Sequence, residues 1–170
     1  TDTARFHSTA AGSSTFSVGS GNAVNASGRT YVAYLFAHHN TGNPGEFGPD
    51  SDQDVIKCDS YTGNGNTGLE VNVGFEPQFV MIKKATGNGD WMVFDAMRGV
   101  VSDPYPNLDN TLFWNLSNAE RTNTGYIGFT PTGFIHQGGS GDTNTNHETY
   151  IYLAVRRGSL FPPEAGDATK

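Results

Sequence analysis

The sequence predicts an all-β protein: an antiparallel β-sandwich module of jelly-roll type, preceded by the closing strands of an earlier copy of itself. Three observations predict it. Twenty-two glycines and eight prolines in 170 residues, charged residues at only 16% and abundant Thr, Ser and Asn favour short strands and many turns over long helices. Apolar residues recur at alternate positions along nearly the whole chain, the period of a half-buried strand. A hairpin-sized stretch also occurs twice.

Taken in chain order, the alternation places strands at 15–18, 30–37, 54–61, 68–73, 78–84, 90–95, 111–115, 125–129, 133–136 and 149–156. Gly, Asn or Pro separates almost every pair. The stretches TGNGNTG (62–68) and TGNGD (86–90) contain Asn-Gly pairs, whose tolerance of positive φ suits tight turns between twisting strands, so 86–90 is predicted to close a hairpin. A single helix signal lies at 115–121, where Ser117 stands three residues before Glu120 as a cap, but the span allows only a turn or two.

The repeat sets the domain organisation. STFSVGSGNAVNASGRTYVAYLFA, starting at Ser14, runs parallel to TGFIHQGGSGDTNTNHETYIYLAV, starting at Thr132. In both, a Phe-led strand is followed by a polar loop and then by Thr-Tyr opening an aromatic-aliphatic strand; Phe16 aligns with Phe134 and Tyr31 with Tyr150 after one inserted residue. Residues 1–40 are therefore expected to be the closing strands of a preceding repeat. Residues 41–54 form an acidic Gly/Pro-rich linker, 55–158 a complete module and 159–170 a tail. The chain reads as a piece of a longer protein. In the tail, Leu160 and Phe161 have no core of their own, and the expectation is that they rest on a neighbouring strand or subunit.

Several function classes are disfavoured by composition. A formal net charge of −7 lacks the clustered Lys and Arg that a phosphate backbone requires, which argues against nucleic acid. The single cysteine, Cys58, cannot form an intrachain disulfide and sits in a strand-like run, where a small core residue is expected. No stretch approaches the roughly 18 apolar residues of a membrane span, so no membrane insertion is expected.

Longer motifs point to a family. YVAYLFAHHNTGNPGEFGPDSDQDVIKCDSYTGNG, then GFEPQFVMIKKA with DWMVFDAMRG, then TPTGFIH and YIYLAVRRG, together resemble the β-sandwich repeat of tail-associated proteins of marine and other environmental bacteriophages. The resemblance covers most of the chain and implies an extracellular appendage on the virion surface that contacts the host. It implies no catalytic residues.

The candidate sites are of two kinds. Glu46, Asp50, Asp52 and Asp54 offer hard oxygen ligands suited to Ca²⁺, with a solvated acidic linker as the alternative. The spacing is not that of an EF-hand, since Val55 occupies the position of the turn glycine and Tyr61 that of the bidentate Glu. Sugar recognition in sandwiches combines exposed aromatic faces with amides, and Trp114, Tyr61, Tyr105, Asn64 and Asn66 are the candidates, whereas Trp91 alternates with polar partners as a core residue does. For catalysis, Asp95, Glu120 and Glu148 are available as carboxylates, yet nothing in the sequence makes two of them converge. His136 and His147 accompany no nucleophile elbow, and His38-His39 lacks zinc-ligand spacing.

These readings combine into a non-enzymatic structural or adhesion module of a phage tail fibre or similar appendage. Its expected partners are a host cell-surface polysaccharide, other virion proteins and further copies of itself in a homo-oligomer. The competing classes are a secreted or cell-surface carbohydrate-binding domain and a tail-associated depolymerase.

Overall fold

The computed structural model describes residues 14–36, 55–100, 109–122, 124–138 and 141–158. The chain divides into two compact units, Thr1–Phe36 and Ala37–Lys170.

In the second unit the alternating segments form eight strands: β1 (Ile56–Thr62), β2 (Glu70–Asn72), β3 (Pro77–Lys84), β4 (Trp91–Asp95), β5 (Leu112–Phe113), β6 (Ile127–Thr130), β7 (Gly133–His136) and β8 (Thr149–Arg156). Each falls within or beside a segment where alternation predicts a strand. All pairings are antiparallel, in a five-stranded sheet of order β1-β8-β3-β4-β5 and a three-stranded sheet of order β2-β7-β6.

Register decides which side chains share a face, because directly paired residues point the same way. Tyr152 pairs with Ile82, Ile82 with Met92 and Met92 with Phe113; one step along, Ala154 pairs with Val80 and Val80 with Phe94. These side chains are buried and meet Val71, Ile127, Phe129 and Phe134 of the smaller sheet in one core. Phe134 lies edge-on to Tyr152, with ring centroids 5.6 Å apart, so the two layers interlock through aromatic rings.

The start of β6 is held by Asp109, a buried carboxylate ahead of β5 that accepts from the backbone N–H of Tyr126 at 2.8 Å and of Ile127 at 3.2 Å. Beyond β5, the predicted helix at 115–121 does not form. The backbone of Arg121 returns to Thr111 in a two-bond bridge of 2.9 and 3.0 Å, which holds 116–120 as a loop and draws on peptide groups a helical turn would need. The helical turn of this unit instead spans Ala96–Arg98, a 3₁₀ segment capped at its start by the Asp95 side chain and ended by Gly99 in the left-handed region at φ 105°.

In the first unit, the described residues hold one short helix, α1 (Asn22–Asn25), and no strand. Of the strands predicted at 15–18 and 30–37, the described residues 15–18 and 30–36 form no ladder: the apolar alternation is present, but no strand among the described residues pairs with it. Its side chains remain open to solvent, with Val32 77%, Tyr34 82% and Leu35 75% exposed.

The local geometry nevertheless repeats that of the second unit. The Tyr31 hydroxyl accepts from the Ala26 N–H at 2.7 Å and donates to the Asn22 carbonyl at 2.9 Å. The Tyr150 hydroxyl accepts from the Thr145 N–H at 2.8 Å and donates to the Gly141 carbonyl at 3.1 Å, at the same spacings along the chain. Gly28 has φ 72°, and the aligned His147, at φ 63°, is the one non-glycine residue with positive φ among the described residues.

β2 approaches β7 so closely that a Cβ on Gly133 would lie 2.0 Å from the Val71 carbonyl oxygen, whereas one on Gly138 would meet nothing nearer than 3.4 Å. Both atoms at the tight point are backbone, so relief requires the strands to part. We expect Gly133→Ala to lower the unfolding free energy by about 2–3 kcal/mol, the cost of overpacking a closed site, and Gly138→Ala to cost less than about 1 kcal/mol. Urea denaturation of the two variants beside the parent checks this.

Candidate functional site

The five-stranded sheet presents a second apolar face, directed away from the core. Cys58, Leu153, Met81, Val93 and Leu112 lie in one cross-strand row, and Ser60, Ile151, Lys83 and Trp91 in the next. A cleft of about 480 Å³ opens on it, lined among others by Cys58, Met81, Trp91, Ile151 and Leu153. Burial pushes the Cys58 thiol pKa up, which holds it as a neutral thiol and a weak nucleophile. Trp91 belongs to this outer face and is half-buried, contrary to the core placement expected from alternation. Its neighbours Met92 and Phe94 take the inward positions on β4.

Trp114 is the exposed aromatic of this face, at 62%. It follows β5 directly, its backbone N–H donates to the Trp91 carbonyl at 3.0 Å, and its ring lies 6.0 Å from that of Phe79 at an angle of 46°. The next residue ties the edge down: the Asn115 side chain accepts from the Trp91 N–H at 2.9 Å and donates to the Asp90 carboxylate at 2.9 Å. The tryptophan is thus held from both sides while its ring remains open. Phe79 also lines a second cleft of about 560 Å³ together with Gln78, Met97, Arg98 and Arg157. An open indole beside a phenyl ring, with an amide and a carboxylate at one margin and amide and guanidinium groups at the other, suits a flat partly apolar ligand that also carries hydroxyls.

The carboxylates considered for catalysis fall into two places. Asp95 accepts from Arg98 Nε at 2.6 Å, and Glu120 lies 3.9 Å from the same Nε, so these two share one guanidinium. Glu148 instead engages the Thr86 hydroxyl and the Lys84 ammonium, the latter at 3.7 Å.

The other sugar-site candidates occupy different surroundings. Tyr61 faces inward from β1: its ring stacks on Tyr150 at 5.2 Å and 15°, and its hydroxyl donates to the Thr143 carbonyl at 2.6 Å. Burial, reinforced by Tyr150, raises its pKa well above the usual phenol range. Asn64 and Asn66 are brought together, but by Asn144, which sequence reasoning did not single out. This buried amide accepts from the Asn64 N–H at 2.9 Å and donates to the Asn66 carbonyl at 2.7 Å and the Asn64 side chain at 3.3 Å. The 63–68 loop is thereby clasped from within. Tyr105 and the acidic set Glu46, Asp50, Asp52 and Asp54 lie outside the described residues, as do His38, His39, the 41–54 linker and the 159–170 tail. Among the described residues no group of three or more His, Cys, Asp and Glu side chains is placed to hold a metal ion, and no helix is long and apolar enough to cross a membrane.

The fold and this face define an antiparallel two-sheet β-sandwich with an aromatic strip on its outer surface. The chain belongs to the family described as a domain of unknown function, DUF7483, whose family model matches residues 1–157 and so takes in both units. No curated protein and no solved structure matches it.

One buried group makes the module sensitive to acid. His136 on β7 is fully buried, its ring 5.2 Å from that of Tyr61 and 5.7 Å from that of Phe134, and neither ring nitrogen has a hydrogen-bond partner. Burial lowers its pKa to about 4 from an ordinary 6.5. The unfolded chain therefore takes up the proton first, so this contribution to stability is complete above pH 6.5 and is lost as pH falls towards 4, by about 3 kcal/mol. We expect His136→Phe to flatten the decline in stability between pH 6.5 and pH 4, measured by urea denaturation across that range. Parallel curves for parent and variant would assign the acid loss to other groups.

Proposed function

We propose that this chain is a non-enzymatic adhesion and structural module of a virion appendage such as a phage tail fibre, binding host-surface glycan through the Trp114 face. The observation that carries the proposal is the display of Trp114: 62% exposed, beside Phe79, on an edge fixed by Asn115 and Asp90. A sugar ring has an apolar face that stacks on an indole and equatorial hydroxyls that seek amides and carboxylates, and both features are adjacent here. The sandwich supports it mechanically, because Trp114 follows β5 directly and its backbone N–H is bonded to Trp91 of β4. The assignment to a virion rests on the sequence resemblance, and the net charge of −7 suits a neutral or cationic polysaccharide better than a polyanion.

The test is titration calorimetry with purified host-surface polysaccharide. Trp114→Ala is expected to weaken binding at least about tenfold, the ~1.4 kcal/mol of a lost stacking face, while leaving stability within about 1 kcal/mol because the ring is largely exposed. Equal binding by parent and variant would remove Trp114 from the site, and release of reducing ends during the titration would identify a depolymerase instead.

A further inference from the structure

The largest run of exposed apolar side chains in the described residues lies in the first unit. Tyr31, Val32, Tyr34, Leu35 and Phe36 are 43–82% exposed along six consecutive positions. Single exposed apolar residues are ordinary, but a contiguous run of this kind marks a surface that is normally covered. What covers it can be read from the repeat. Tyr31 holds its preceding loop through the same two hydrogen bonds, at the same spacings, as Tyr150 does, and the left-handed residue Gly28 stands where His147 stands. The loop that launches β8 is therefore already formed in residues 21–31, ahead of any ladder.

Carried forward from Tyr31 and Tyr150, the alignment sets Val32, Tyr34 and Phe36 against Ile151, Leu153 and Val155, the outward side chains of β8. It sets Tyr31, Ala33 and Leu35 against Tyr150, Tyr152 and Ala154, which are buried. The inward positions exchange sizes, Ala-Leu for Tyr-Ala, so bulk is kept along the strand. A strand that is apolar on both faces belongs inside a covered sheet rather than at an edge. In the second unit the matching strand lies between β1 and β3, paired to both along its length.

We infer that residues 14–36 are the β7–β8 end of a second module of this same fold, and that Thr30–Phe36 is built to lie between the β1-type and β3-type strands of that module. Each such element would then join one sandwich to the next through the chain that follows it. This goes beyond glycan binding and stands or falls independently of it.

Two measurements test it. In the 170-residue protein, hydrogen exchange read by mass spectrometry should show amides 30–36 unprotected while those of β8 are protected. Protection of 30–36 that grows with protein concentration would place a neighbouring chain's sheet edge on the strand and overturn the inference. In an extended protein, residues 55–131 are joined directly ahead of Ser14, supplying β1 to β6 of a second module. Amides 30–36 should then become protected at least about a hundredfold, and a second cooperative unfolding transition should appear. A companion carrying Ala33→Tyr and Leu35→Ala restores the inward residues of β8 and guards against simple misfit. If 30–36 stays unprotected in both extended proteins, the inference is wrong.

Discussion

The structure depends on one strand that must be covered on both sides. β8 carries Tyr150, Tyr152 and Ala154 towards the core and Ile151, Leu153 and Val155 the other way. It is also the common partner of β1 and β3, so the first and last parts of the module meet on it. Pairing of this kind joins residues 66 to 99 positions apart, and loop-closure entropy opposes it until the buried rings offset the cost. The aromatic group of Tyr61, Phe134, Tyr150 and Tyr152 supplies that burial where the two sheets face each other. Beside it, the two hydrogen bonds of the Tyr150 hydroxyl orient the loop that leads the chain into the strand.

The same arrangement positions the outer face. With β8 and β3 in register, the outward row is continuous from Cys58 across to Leu112, and β5 ends where Trp114 projects beyond it. Asn115 converts a two-residue edge strand, weak by itself, into a fixed ledge through its bonds to Trp91 and Asp90. The display of the indole is thus a consequence of sheet register and one amide, and it needs no large loop. The family model spans residues 1–157 and so reaches across both units.

The strands were legible in the sequence because side chains alternate at a period of two and because Asn-Gly and Gly-rich turns interrupt them. Sheet order was not, since alternation says nothing about which strand lies beside which. Trp91 shows where parity fails: in WMVF both sets of alternate positions are apolar, so the pattern alone cannot tell the inward face from the outward one, and only pairing with Lys83 settles it. Asn64 and Asn66 looked like ligand amides because a loop amide in a sequence shows no partner. Asn144, about 80 residues later, satisfies the loop from inside and was hidden within another polar stretch. Trp114 was a candidate because amides flank it in an irregular run, but that pattern left core and surface equally open, and its exposure comes from the structure. The first copy of the sequence repeat carries a strand pattern, and its described residues form no ladder.

The central claim is that β8 is the strand on which the module is assembled, and native-state hydrogen exchange across β1 to β8 tests it most directly. The account predicts that the amides of Tyr150–Ala154 exchange most slowly, opening only with global unfolding, while those of the short edge strand β5 open locally at lower cost. Exchange in β8 as fast as in β5, with the slowest amides elsewhere, would contradict it.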